Sequence, residues 1–102
     1  MSKKKDEAKR LFEKIADGHE NTLSRPPDKH TDRLLRGLVN EANKSGDCII
    51  NVGNGYYRPM PGDPVDAAEF SHYAASELKR ARDILLKRLK MKNAFLEKEV
   101  IT

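Results

Sequence analysis

From Val65 to Thr102 the chain contains neither proline nor glycine. Such a run predicts a single helix that approaches about 30 residues, or about 45 Å at 1.5 Å per residue. That is longer than a domain of 102 residues is wide, so one third of the chain is committed to an element that its own core cannot cover. Val65-Asp66-Ala67-Ala68-Glu69-Phe70 carries a start signature: Asp66 as cap, Glu69 reaching back as in a capping box, and Val65 stapled to Phe70. Ala74, Leu85 and Leu96 recur at an interval of 11, as do Leu78, Leu89 and Val100, and Phe70 precedes Ala81 by the same step. An 11-residue interval suits a nearly straight helix better than a heptad does. Part of this stripe is expected to pack on the core. Ile84, Met91 and Phe95 widen the apolar surface further, and dimerisation through Ile84, Leu85, Leu89, Met91 and Phe95 is the economical way to cover it; a solvated or frayed end is the plain alternative.

The remaining two thirds split into shorter pieces. Ala8, Leu11, Phe12, Ile15 and Ala16 fall at helical spacing, which predicts an amphipathic helix over 3–17 stopped by Gly18. His19 to His30 holds Pro26-Pro27 and one large aliphatic residue, Leu23, so it reads as a loop or one short turn of helix. Thr31 can cap a second helix over 31–45, with Asp32 in its first turn and Ser45-Gly46 closing it. The period then becomes strand-like: Cys48-Ile49-Ile50-Asn51-Val52, the turn Gly53-Asn54-Gly55, and Tyr56-Tyr57-Arg58 predict a β-hairpin over 48–58. Pro59, Pro61, Gly62 and Pro64 make a stiff connector over 59–64. The expected fold is α+β and mostly helical: helix, helix and β-hairpin in residues 1–64, then a long C-terminal helix over 65–102.

Placed at 100° intervals, the second helix divides into two sides. Leu34, Leu35, Leu38, Val39 and Ala42 form an apolar side, while Arg33, Arg36, Gly37, Asn40 and Lys44 form the other, with Asp32 and Glu41 on the flanks. Three cations and an amide without a carboxylate among them can meet phosphates and read base edges; the plain alternative is a solvated surface. The run from Arg33 to Ile50, followed by Gly53-Asn54-Gly55-Tyr56-Tyr57, resembles the recognition helix and wing of winged helix-turn-helix domains, most of all the small ones of phage and prophage genes. The resemblance covers residues 30 to 59 and rests on spacing. It implies a winged-helix-like core whose helix enters the major groove of double-stranded DNA through Arg33, Arg36 and Asn40, with Lys44 nearer a phosphate. It implies a wing that touches the neighbouring backbone through Asn54, Tyr56 and Arg58. Where the family has a full helix ahead of the recognition helix, residues 19–30 have room for about one turn, Glu20 to Arg25.

Charge and chemistry narrow the function further. The chain carries 20 Lys and Arg against 16 Asp and Glu, a net +4. The excess is local: Lys79, Arg80, Arg82, Lys87, Arg88, Lys90 and Lys92 face only Glu77 and Asp83 between residues 77 and 92. Such a band suits phosphates, an acidic protein partner, or solubility. Cys48 stands alone, which excludes an internal disulfide and a thiolate zinc set, and is expected to fill a small core position. His19, His30 and His72 have no ligand spacing, so no metal or cofactor is expected, and no nucleophile-base pair or phosphate-binding glycine loop points to an enzyme. No apolar run nears the roughly 18–20 residues of a membrane span, and no signal peptide follows Met1, so a cytoplasmic protein without membrane contact is expected. The expected function is a small, dimeric DNA-binding protein of transcriptional regulation or phage-type DNA metabolism. A protein-docking module that uses the same shape and the long helix is the alternative.

Overall fold

The computed structural model describes residues 2–101, with side-chain surroundings given over 2–98. Thr102, at the expected end of the last helix, and the side chain of Val100 lie outside the described residues. The order is α1 (Lys3–Glu13), a 3-10 turn (His19–Asn21), β1 (Leu23–Ser24), α2 (Lys29–Lys44), β2 (Ile50–Asn51), β3 (Gly55–Tyr57) and α3 (Pro64–Ile101). The α+β, mostly helical class and the long last helix are therefore as the sequence predicts.

The first helix is shorter than its apolar spacing suggests. Ser2 caps it at Lys5 N, and it ends at Glu13, because the chain then turns to meet the strand exit: Arg58 N donates to Ala16 O at 2.9 Å and Gly18 N donates to Arg58 O at 2.9 Å. Ile15 is buried beyond the helix end, whereas Ala16 is exposed. Residues 19–28 contain no α-helix, and Lys29 and His30 already belong to α2. A single 3-10 turn is followed by β1, which pairs antiparallel with β3 in the register Leu23↔Tyr56 and Ser24↔Gly55. β2 pairs with the other edge of β3 through Ile50↔Tyr57 and Asn51↔Tyr56, so the sheet order is β1-β3-β2.

Helix α2 starts two residues before Thr31, since Asp28 is the cap: its carboxylate accepts from Thr31 N and Thr31 Oγ1, both at 2.8 Å. These two donors, with Lys4 at 3.2 Å, hold the Asp28 carboxyl down at about 2. Gly46, at φ +106, closes the helix where a side chain would be strained. Two elements of the core follow from this. Leu35 and Val39 of α2 meet Ala8 and Ile15 of the first segment, with Ile49 and Tyr56 sealing the sheet side. The Asn43 amide takes both polar groups of Ile49, donating to its carbonyl at 2.9 Å and accepting from its N–H at 2.8 Å, and so fastens the end of α2 to the strand. Cys48, expected inside, is exposed instead; burial of part of its surface and Asp47 nearby raise its thiol pKa.

The expected capping of α3 is corrected in detail. Pro64 occupies the first helical position and Asp63 is the cap, accepting from Val65 N at 2.8 Å and Asp66 N at 3.2 Å. Asp66 is fully buried and faces the body of the protein, accepting from His19 N at 3.1 Å, His19 Nδ1 at 2.6 Å and Met60 N at 2.8 Å. Glu69 accepts from the buried Tyr57 hydroxyl at 2.8 Å in place of closing a capping box, and Val65 and Phe70 are both exposed. Hence α3 docks through Asp66, Glu69 and Tyr73, and the Ala74–Leu85–Leu96 stripe, expected in part on the core, faces away from it. The reason is geometric: 38 helical residues extend about 57 Å, and the body covers only the first turns. The radius of gyration, 18.4 Å, exceeds the roughly 13 Å of a compact chain of this length for the same reason.

The junction is sensitive to pH. The hydrogen bond to Asp66, with Asp63 at 3.8 Å adding to it, raises the His19 pKa above its ordinary value. A raised pKa means that the protonated form is favoured by folding, so this contribution is complete below about pH 6.5 and is lost as pH rises through the folded value. Thermal melts between pH 5.5 and 8.5 are expected to show a melting temperature that falls with rising pH, and His19→Gln is expected to flatten that slope.

Candidate nucleic-acid interface

The exposed side of α2 does not stand clear of the molecule. Arg36, Asn40 and Lys44 form one wall of a groove of about 750 Å³ whose floor is Tyr56 and Asn51 and whose opposite wall is Tyr73, Glu77 and Arg80 of α3; Arg25 closes one end. The body positions each cation by a different means. Asp32, one of the few buried carboxylates, accepts from Arg25 Nη2 at 2.6 Å, from Arg36 Nη2 at 3.1 Å and from the Tyr56 hydroxyl at 3.4 Å. Arg25 above all, then Arg36, outweighs the cost of burial and holds the Asp32 carboxyl below the usual range. Arg25 donates to Asp32 through Nε and Nη2 and to the Gly53 carbonyl through Nη1 at 3.2 Å, whereas Arg36 gives Asp32 one bond of the five its guanidinium can make. Lys44 lies 3.6 Å from Glu41 and Arg80 lies 3.5 Å from Glu77, both solvent-exposed pairs of small consequence.

The groove gathers Arg36, Asn40 and Lys44 of the helix set and leaves Arg33 outside it, exposed on α2. The wing set divides. Asn54 sits exposed at the turn tip, where its carbonyl accepts from Arg25 N at 3.1 Å. Tyr56 is 1% exposed and belongs to the core, because its ring packs under α2 and its hydroxyl meets Asp32. Arg58 is a structural clamp: its guanidinium holds Asp47 with two bonds, at 2.9 and 2.8 Å, and donates to the Ile15 carbonyl. Both side chains are held by the body of the protein and not at the turn tip, with Tyr56 also on the floor of the groove. The hairpin itself is shorter than 48–58, since Cys48 and Ile49 are bound to Asp47 and Asn43 and are not strand-paired.

The sequence points to neither Arg25 nor Tyr73 as a site residue, and to Arg80 only as one cation of the basic band. Arg80 belongs to the basic band, but only the crossing of α3 beside β2 brings it opposite Arg36. Arg25 precedes Pro26-Pro27 in a segment with no periodicity, so nothing local marks it. Of the dimerisation set, all five side chains are exposed, and they lie on two sides of α3: Leu85 and Leu89 on the outward side, Ile84, Met91 and Phe95 in line with Tyr73 and Glu77. His19, Asp63 and Asp66 lie close enough to share a cation, yet the Asp66 oxygens and the Asp63 Oδ1 already accept the backbone and ring donors that fix the junction. Among the described residues no helix is long and apolar enough to cross a membrane.

No family model matches the chain, and neither a curated protein nor a solved structure does.

Proposed function

We propose that the protein binds double-stranded DNA, with one phosphodiester strand lying along the groove between α2 and α3. The observation that carries this reading is the convergence of Arg25, Arg36, Lys44 and Arg80, from three separate segments, on one concave surface where Asp32 and Glu77 are the acids. Guanidiniums partly held by Asp32 are preorganised, so less side-chain entropy is lost when they meet a phosphate. Asn40 and Asn51 add amide groups beside them, and Asn54 at the turn tip together with Arg33 extends the polar surface. The helix-then-hairpin order that resembles a winged-helix domain supports the same reading. With no α-helix over 19–28, the groove takes the place of the element that would cross the backbone. Such a protein suits transcriptional regulation or phage-type DNA metabolism.

Binding of a labelled mixed-sequence duplex, followed by anisotropy between about 50 and 200 mM salt, tests this. Affinity should fall steeply with salt, and Arg36→Ala, Lys44→Ala and Arg80→Ala should each reduce the log–log slope by about 1, with Arg33→Ala changing it less. No binding at the lowest salt, or binding indifferent to Arg36→Ala and Asn40→Ala, refutes it. A second reading, a protein-docking module, is favoured by one specific observation, the uncovered apolar length of α3. Truncation after Arg82 separates the two: a docking module loses its complex, and a DNA binder keeps its groove.

A further inference from the structure

We infer that the outward side of α3 is a self-association surface on which a second copy of this chain packs antiparallel, with the midpoint between Ala81 and Arg82. The inference is independent of the DNA reading. The six apolar residues Ala67, Ala74, Leu78, Leu85, Leu89 and Leu96 fall in a band about 60° wide at 100° per residue, roughly 130° round the helix from Asp66, Glu69 and Tyr73, which dock on the body; Lys92 and Ser71 lie at its two edges. All six are exposed, Leu85 by 62% and Leu89 by 54%.

The band is tapered, and the taper selects the partner and its direction. Its first two positions present alanine and the four that follow leucine. An antiparallel copy about that midpoint sets Ala67 against the partner's Leu96, Ala74 against the partner's Leu89, and Leu78 against the partner's Leu85, so small faces large towards both ends and leucine meets leucine at the centre. Helices so matched fill their layers at an interaxial distance of about 8–10 Å. A parallel copy sets alanine on alanine at one end and leucine on leucine at the other, which leaves a gap and a bulge. Charge agrees with shape. Parallel pairing stacks the basic band Lys79–Lys92 on itself, whereas antiparallel pairing lays it along the partner's residues 71–84, where Glu77 and Asp83 offset two of three cations. The 11-residue recurrence keeps both helices nearly straight, so the contact persists over their length.

Light scattering and sedimentation of the full chain should give twice 11.6 kDa. Leu85→Glu, which alters a side chain that touches nothing in the body, should return the mass to that of one chain while the far-ultraviolet spectrum keeps its helical form. Ala74→Leu, conservative in polarity, should also weaken the dimer by overfilling the small end. Spin labels placed at Lys98→Cys and Asp83→Cys in a Cys48→Ser background report direction. Antiparallel pairing sets the Lys98 labels about 50 Å apart along the axis and the Asp83 labels about 5 Å apart along it, whereas parallel pairing makes both separations short. A single-chain mass at millimolar concentration, a mass unchanged by Leu85→Glu, or a short Lys98 separation overturns the inference.

Discussion

Gly55→Ala is expected to destabilise the protein by about 3 kcal/mol or more, because the added methyl would be driven onto the Leu23 carbonyl. Gly55 sits in β3 at the point where β1 crosses it, with Ser24 as its partner, and the Thr22 methyl closes in from the same side. The neighbour in the way is backbone, which cannot rotate aside as a side chain would. Relief therefore requires β1 to separate from β3, and with it Arg25 N would lose the Asn54 carbonyl and Leu23 its place against the core. Denaturant titration measures the loss, and amide exchange at Arg25 and Tyr56 should rise with it. Gly62→Ala, where a Cβ meets nothing, serves as the control and should change stability little.

Asp32→Asn should act in opposite directions on stability and on DNA affinity. The carboxylate is buried and joins Arg25, Arg36 and the Tyr56 hydroxyl. Removing its charge leaves two guanidiniums without their counterion, and breaking a buried pair from one side costs about 3 kcal/mol. The Arg36 contribution to that figure is the smaller, since half of this side chain is exposed and water screens it. The same substitution frees both guanidiniums for phosphate, so duplex binding should strengthen at low salt even as the midpoint of unfolding falls. A purely structural Asp32 would lower both. The pH dependence has a definite sign: because the folded pKa is depressed, this contribution is present above about pH 4 and is lost as pH falls through the lowered value, so the stability gap between the wild type and Asp32→Asn should close on acidification.

What could be read from the sequence was what depends on near neighbours. The two sides of α2, its close at Ser45-Gly46, the Gly53-Asn54-Gly55 turn and the uninterrupted α3 all follow from spacing and turn chemistry within a few residues. What could not be read was set by partners far along the chain. Leu23–Ser24 has no strand signature of its own and becomes β1 only because Gly55 lets another backbone approach. Asp66 has the credentials of a cap, but Asp63 and Pro64 start the helix earlier and turn Asp66 inward to His19. Arg58 and Tyr56 look like the exposed tip residues of a hairpin, yet Asp47 and Asp32 draw them into the body. In the candidate groove, Arg36, Asn40 and Lys44 were visible as one side of a helix; Arg25 and Arg80 required the tertiary fold.

The way α3 is attached also has a mechanical consequence. The joint is made of directional bonds, His19 and Met60 to Asp66 and Tyr57 to Glu69, close to one end of a long rod. About 30 residues extend beyond it, an arm of about 45 Å, so a rotation of about 10° at the joint sweeps the far end through about 8 Å. In its proportions α3 is a lever with its fulcrum at a histidine–aspartate contact, so any change of angle there would be multiplied at the far end by the length of the arm.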